Sequence, residues 1–440
     1  MSAPLVLVNG LFLDYPHSGT GVYTREVLAR LTVPHSVIPH PPLPPAGPHP
    51  SPSRGEGEQG SSSPLPRTGR GAGGEDLSPL PRTGEGVGSH AVGGVGRAAP
   101  RYTIVGHAEH AAAYAGVCPY IPLRTGVLRR SDNLEKILWE QALLPAVAAR
   151  LGADLLYAPY FSLPLVAGTR TVVTIHDLVP LLLPEYAPSA ALKAYFALVS
   201  AATRRADAVV TDSQHSAGDI ARLLDVPAAR IHVVRLGVDP AYRNPVSAED
   251  VAALRVRHDL PERFILYLGG NDPRKNIPVL LRALRVTRDR GQQALPLVVV
   301  ARSGGRFPDP RDEARQLDLG AAVRFVEWVT DEEKRVVYAA ATAFAFPSRY
   351  EGFGLTPLEA MAAGTPVLCA DASSLPEVVG DAALLLDPDD IEGWADALVR
   401  ISHDAGLRAD LSARGRVQAA HFTWDRTVAA LQGIVANVLS

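Results

Sequence analysis

Two carboxylates eight residues apart, Glu351 and Glu359, bracket the segment with the clearest chemical content: Phe346-Pro-Ser-Arg-Tyr-Glu351-Gly-Phe-Gly-Leu-Thr-Pro-Leu-Glu359-Ala-Met-Ala-Ala-Gly-Thr-Pro366. A strand ending near Pro347, a glycine-bearing turn and a helix starting near Thr356 are expected, with Pro357 placed where its missing N–H does no harm. Gly352 and Gly354 let backbone approach a ligand closely, and free amides at a helix start favour an anion such as a diphosphate. Carboxylates on either side of that anion can accept hydrogen bonds from sugar and ribose hydroxyls. Glu359 also has a plain structural reading: Thr356-Pro-Leu-Glu359 fits a capping box, in which the carboxylate ties off its own helix. Both readings stay open at this point.

A second motif, Tyr267-Leu-Gly-Gly-Asn-Asp-Pro-Arg274-Lys275-Asn276, follows an expected strand and precedes an expected helix. Two adjacent cations at such a turn suit phosphate oxygens, whose charge grows as a glycosidic bond to phosphate breaks. In the first half of the chain, Thr174-Ile175-His176-Asp177-Leu178 lies just past another strand, where a functional loop would open. A histidine there is, taken alone, more often structural than catalytic. The Gly19-Thr20-Gly21 turn is a weak signal by itself. Tyr157-Ala-Pro-Tyr160 and Asp212-Ser213-Gln214 sit at strand ends and are candidate acceptor contacts. The acidic run Asp387-Pro-Asp-Asp390 reads as turn and N-cap chemistry rather than a metal site. No other His, Cys or carboxylate grouping has metal spacing, so no metal or other cofactor is expected.

The run E-G-F-G-L-x-x-L-E-A-M-A-x-G-x-P-V resembles the signature of family-four retaining glycosyltransferases, near-verbatim across about twenty residues. The resemblance extends over nearly the whole chain outside residues 39–100 and is strongest from Phe264 to Asp387. It implies the GT-B fold, with an acceptor domain first and a nucleotide-sugar domain second. It implies that Glu351 contacts hydroxyls of the transferred sugar and Glu359 the nucleotide ribose. Lys275, with Arg274 in place of an arginine absent at Gly270, would meet the diphosphate. The stretch Gly352, Phe353, Gly354, Leu355 and Thr356 would lie against it, and Gly21 would approach it from the first domain. His176 would reach the donor sugar, making His176, Glu351 and Lys275 the catalytic set. The activity implied is transfer of a hexose to an acceptor hydroxyl with retention, on a glycan or lipid-linked acceptor and without a metal. The Pro-Arg-Lys-Asn form is similar to that of mannosyl- and rhamnosyltransferases, which puts GDP-mannose ahead of UDP-glucose as donor. A sugar-nucleotide epimerase on the same fold and a catalytically dead nucleotide-sugar binder are the rival readings.

These groups must be positioned by a scaffold, and the chain is long enough for two domains: 440 residues, 47% hydrophobic and 20% charged. Short apolar runs alternate with helical spacing, which predicts parallel, doubly wound α/β sheets. In the first half, strands are expected at 5–8, 102–105, 154–157, 171–175, 208–211 and 231–234. Helices are expected at 22–31, 134–151, 189–205 and 216–224. Strands at 264–268, 297–301, 323–326, 343–347, 366–370 and 383–386 make up the second half. This divides the chain into two Rossmann-like domains facing across a cleft, 1–240 and 241–424, with a terminal helix (425–440) returning to the first. Residues 239–261 would connect the domains, with a capping box at Ser247-Ala-Glu-Asp250.

Residues 39–100 break the pattern. They are Pro-, Gly- and Ser-rich, and Ser-Pro-Leu-Pro-Arg-Thr-Gly occurs at 63–69 and again at 78–84. Such a composition buries too little apolar area to offset the entropy of ordering it, so a disordered insertion is expected. The net charge of −3 excludes a global field that would draw the chain to nucleic acid. Arg124–Arg130 could touch an anionic membrane surface, although a solvated loop is the simpler reading. Cys118 and Cys369 fit no disulfide or zinc pattern, no signal peptide is evident at the N-terminus, and no apolar run is long enough to span a bilayer. A cytoplasmic protein is expected, with peripheral contact at the inner membrane face left open.

Overall fold

The computed structural model describes residues 3–11, 19–32, 99–114, 119–123, 132–187, 189–302 and 307–440. Most of the expected insertion 39–100, together with Cys118 and Arg124–Arg130, lies outside the described residues.

Runs of β-branched and aliphatic residues form the strands, the central ones buried on both faces and the edge strands partly exposed. In the first sheet these are β1 (Leu5–Asn9), β2 (Arg101–His107), β3 (Tyr120–Leu123), β4 (Leu155–Ala158), β5 (Arg170–Thr174), β6 (Ala208–Thr211) and β7 (Ile231–Val233). They pair in parallel in the order β3-β2-β1-β4-β5-β6-β7. The second sheet holds β8 (Ile265–Leu268), β9 (Leu297–Val300), β10 (Val323–Val326), β11 (Ala343–Phe346), β12 (Val367–Ala370) and β13 (Ala383–Leu386). Its order is β10-β9-β8-β11-β12-β13, again all parallel. Val6, Leu7, Val8, Phe344, Ala345 and Leu368 are fully buried, as strands covered on both faces must be. In each sheet the winding direction reverses beside the first strand, between β1 and β4 and between β8 and β11. Loops leaving the carboxyl ends of strands near such a reversal are where this architecture binds ligands.

Two elements depart from the expected pattern. β3 was not anticipated, because Pro122 interrupts its short run; it forms the sheet's edge, where a proline's missing donor is tolerated. The single helix expected over 134–151 is instead Asp132–Leu138, a π-turn Trp139–Leu143 and Leu144–Leu151. Pro145 cannot donate to the carbonyl a turn behind it, and the widened turn accommodates that loss. It carries Glu140 into the core, where both carboxylate oxygens accept from the Tyr195 hydroxyl at 3.1 and 2.9 Å.

The last helix, Trp424–Leu439, packs on the helix Gly19–Thr32 and on β5 and β6 of the first sheet. Arg30 Nε pairs with Asp425 at 3.2 Å, and the Thr427 hydroxyl donates to the Arg235 carbonyl at 2.8 Å. A Cβ on Gly237 would collide with the backbone of Thr423 and Trp424, so only glycine allows this crossing. Ser247 caps the connecting helix Ala248–His258 through the Asp250 amide, 3.0 Å away.

Candidate active site

After β11 the chain makes its turn through Gly354, whose φ of 128° is closed to most side chains. Gly354 is the N-cap, and the helix Leu355–Ala363 begins one residue earlier than expected. Thr356 is therefore inside the first turn, no side chain caps this helix, and the capping-box reading of Glu359 is corrected. With no side chain capping them, the amides that open this helix stay available to an anion.

Glu351, in the turn itself, is gripped from the neighbouring loop. Lys275 Nζ lies 2.6 Å from one carboxylate oxygen and Arg274 Nη1 2.9 Å from the other. Those cations are presented by the tight turn Pro273–Lys275, which ends at Asn276 in the left-handed region (φ 57°). Asn276 is buried and donates to the Pro388 carbonyl at 2.6 Å, while the Arg349 amide bonds the Arg274 carbonyl at 2.7 Å. Arg274 Nη1 also donates to the Tyr350 carbonyl at 2.9 Å, and Lys275 sits over the Phe346 ring at 5.2 Å. Burial alone would raise the Glu351 pKa, but Lys275 and then Arg274 outweigh it and hold the carboxyl below its ordinary range.

Glu359 is in a different environment. Its Oε2 accepts from the Tyr338 hydroxyl at 3.0 Å, and the Tyr242 hydroxyl bonds the same carboxyl. Burial pushes its pKa up to about 7, against the pull of Lys334 and the two hydroxyls. It borders a cavity of about 340 Å³ lined also by Arg25, Tyr242, Asp331, Lys334 and Leu355. Two carboxylates one loop apart thus differ in charge state near neutrality, one clamped by cations and one poised to ionise.

From the first sheet, His176 follows β5 and Asp212 follows β6. Imidazole Nδ1 is 2.7 Å from Asp212 Oδ2, and the ring meets Tyr23 edge-on at 4.7 Å. The loops of the two sheets touch here. The Gly352 carbonyl accepts from Ser213 Oγ at 2.8 Å and Ser216 Oγ at 3.2 Å. A Cβ on Gly352 would overlap the His176 carbonyl. The Tyr350 hydroxyl donates to Asp219 at 2.8 Å, and Glu377 accepts from the Gln214 and His215 amides, both at 2.8 Å.

His176, Glu351, Lys275, Arg274, Gly352, Gly354, Leu355 and Thr356 are therefore brought together at one junction of loops. Three expectations are revised. Phe353 is 5% exposed and its ring packs on Phe422, so it serves the core and presents no side chain to a ligand. Gly21 is not in a turn: it lies in the first turn of the helix Gly19–Thr32, and its neighbours Val22 and Arg25 reach the cavity beside Glu359. The candidate acceptor contacts are engaged internally. The Tyr157 hydroxyl bonds Tyr23 and Thr174, the Tyr160 hydroxyl bonds Asn9 and Glu140, and Asp212 holds His176. Local pattern placed Asp212 only among the candidate acceptor contacts; its pairing with His176 comes from the strand register described below.

Among the described residues no group of three or more His, Cys, Asp or Glu could hold a metal ion. Asp387 and Asp390 accept from the amides of Asp389 and Gly393, at 2.8 and 2.9 Å, which is turn and N-cap chemistry. Among the same residues no helix is long and apolar enough to cross a membrane.

Comparison with known proteins bears on the family and the fold. Residues 98–242 match the model of Glycosyltransferase Family 4, and residues 253–418 that of Glycosyl transferases group 1. O-antigen chain mannosyltransferase B of Escherichia coli is 34% identical over 259 residues, covering 58% of this chain and 67% of that protein. Serotype-specific mannosyltransferase WbdA of Escherichia coli is 31% identical over 59% of this chain, a stretch that spans only 32% of WbdA. D-inositol 3-phosphate glycosyltransferase of Salinispora arenicola is 34% identical over 53% of this chain and 56% of that protein. Among solved structures, sucrose-phosphate synthase of Thermosynechococcus elongatus superposes with a TM-score of 0.66 at 20% identity, covering 99% of this chain and 98% of that one. Alr3699/HepE of Anabaena, in complex with UDP and glucose, also gives 0.66, at 16% identity over 99% and 100%. At such identities these likenesses establish the fold.

Proposed function

The chain belongs to glycosyltransferase family 4, with the GT-B fold and a mannosyltransferase-like sequence, and from that premise we propose that it transfers a hexose from a nucleotide sugar to an acceptor hydroxyl with retention of anomeric configuration. The observation that carries this reading is the junction at which Lys275 and Arg274 clamp Glu351 beside the amides opening the helix Leu355–Ala363, with His176 facing it from the other sheet. Breaking the bond between sugar C1 and the diphosphate oxygen leaves negative charge on the diphosphate. In this reading Lys275, Arg274 and the helix amides meet that charge, and preorganised donors of this kind are commonly the largest catalytic contribution. Glu351 keeps lone pairs for sugar hydroxyls while its charge is balanced. Glu359, bordering the cavity, takes the ribose. The acceptor oxygen bonds to C1 on the face the diphosphate leaves, and its proton passes to a departing diphosphate oxygen, so no covalent enzyme intermediate is needed. The cationic turn and helix start neutralise the diphosphate in this reading, and the reaction runs without a metal.

The mannosyltransferase relatives support mannose as the sugar and GDP-mannose as the donor, and the O-antigen enzyme supports a surface-polysaccharide or lipid-linked acceptor. Work at the cytoplasmic face, with peripheral membrane contact for a lipid-linked acceptor, goes with that reading. The test is incubation with GDP-α-mannose and mannose-terminated oligosaccharides, with the one-bond C1–H1 coupling of the product read by NMR. An α-linked product is expected. A β-linked product refutes retention, and an epimerised sugar appearing without acceptor refutes transfer.

A further inference from the structure

The register of the first sheet pairs Thr174 of β5 with Val210 of β6. Carried two residues beyond that pair, the register sets His176 beside Asp212, and the side chains meet at 2.7 Å. We infer that Asp212 is a positioning residue for His176: it holds an imidazolium through Nδ1–H and leaves Nε2–H to donate to an oxygen of the bound sugar diphosphate. This rests on the transfer reaction proposed above.

Three features favour this over simple polar filling. Asp212 is 1% exposed, and its second oxygen, Oδ1, is buried without a hydrogen-bond partner. A carboxylate whose need was only structural would be expected to satisfy both oxygens. His176 Nε2 is likewise buried and makes no hydrogen bond of full geometry; apart from Asp212, the hydrogen-bond acceptor that weighs on the ring is the Pro159 carbonyl. The ring plane is also braced, because Tyr23 meets it edge-on and the Tyr23 hydroxyl is itself tied to Tyr157 at 2.7 Å and Thr174 at 3.2 Å. The charged and titratable groups facing the ring are Asp212, just past β6, Asp177 in its own loop, and Tyr23 of the helix Gly19–Thr32, whose hydroxyl bonds Tyr157 of β4. Burial works against charge on the ring. Asp212, then Asp177 and the Pro159 carbonyl, outweigh it and hold the imidazole above its ordinary value, while burial also raises the Asp212 carboxyl against the pull of His176.

Asp212→Asn keeps an acceptor for Nδ1–H and removes the charge, which separates geometry from electrostatics. In the full chain labelled with ¹⁵N-histidine, the His176 titration should move to lower pH in the variant, and Nδ1 should remain protonated. With GDP-mannose and acceptor, kcat should fall by about 10- to 100-fold, KM for donor should stay within about threefold, and the alkaline limb of kcat should move to lower pH. Asp212→Glu should return that limb towards its original position even where kcat is only partly recovered. An unmoved His176 titration overturns the inference, as does a loss of kcat with an unmoved limb, which is what a merely structural role gives. If Asp212→Asn does not fold, the wild-type spectrum still decides: His176 neutral with its proton on Nε2 near neutral pH overturns it. The titration needs no substrate, so failure of the transfer reading, seen as no turnover by the wild type, is distinguishable from failure of this one.

Discussion

Lys275→Ala should lower kcat for hexosyl transfer by about 10²- to 10³-fold, the scale on which single preorganised donors act. Lys275 lies 2.6 Å from Glu351 and is one of two cations at the turn where diphosphate charge would build up. That charge is larger in the transition state than in the bound donor, so the loss falls on kcat more than on KM. The fold should survive, because Arg274 still pairs with Glu351 at 2.9 Å and the turn is held by backbone bonds and by Asn276. Some stability should nevertheless go. Glu351 has a depressed pKa, so its pairing stabilises the chain above the unfolded carboxyl's range and is lost as pH falls through the depressed value. With one cation removed, that contribution shrinks, and the melting temperature near neutral pH drops modestly. Circular dichroism and steady-state kinetics check both halves; a variant with unchanged turnover would remove Lys275 from the mechanism.

Gly352→Ala should be as damaging without touching any charged group. The added Cβ would lie 2.8 Å from the His176 carbonyl carbon, closer still to its oxygen, and 3.0 Å from Asp177 Cβ. Backbone cannot rotate away as a side-chain tip can, so the loop carrying Glu351 must withdraw from the loop carrying His176. The bonds from Ser213 and Ser216 to the Gly352 carbonyl, 2.8 and 3.2 Å, would be lost in the same movement. Displacements of about 1 Å between reacting groups can cost about 10²-fold, and that is the expected fall in kcat. Nucleotide affinity by calorimetry should change little, because Glu359, Lys275 and Arg274 all stand on the second sheet's side of the junction. Normal kcat in this variant would mean that the two loops need not meet for transfer.

Much of this was legible in the residues alone, for physical reasons. Short, mostly apolar runs such as 208–211, 323–326 and 383–386 read as strands, and the strands fall on those residues. The Glu351–Glu359 segment was legible because glycine, proline and carboxylate positions constrain one another over a single turn. What was hidden depended on partners distant in sequence. Asp212 looked like one polar strand end among several, since nothing local says that the register of β5 and β6 brings it to His176. Thr356-Pro-Leu-Glu359 satisfied a capping pattern locally, but Gly354 starts the helix early and Tyr338, from a helix packed alongside, takes the carboxylate. Phe353 reads as part of the loop motif, yet its ring finds Phe422 from the far end of the chain. β3 was lost to Pro122, which is tolerated only because the strand is at an edge.

Thermal shifts with nucleotides and nucleotide sugars, one pH unit either side of about 7, test the donor site most directly. Glu359 has a raised pKa, so its protonated form favours the fold at low pH and that contribution is lost as pH rises through about 7. Each shift is therefore measured against the ligand-free chain at the same pH. GDP-mannose should raise the melting temperature more than UDP-glucose, and mannose alone should not raise it. The GDP-mannose shift should be larger above pH 7 than below, because an ionised Glu359 accepts from ribose hydroxyls better than a protonated one. In Glu359→Gln the shift should be smaller and flat across this range. Equal shifts for every nucleotide, no shift for any nucleotide sugar, or the same pH response in Glu359→Gln would contradict a donor site built on these residues.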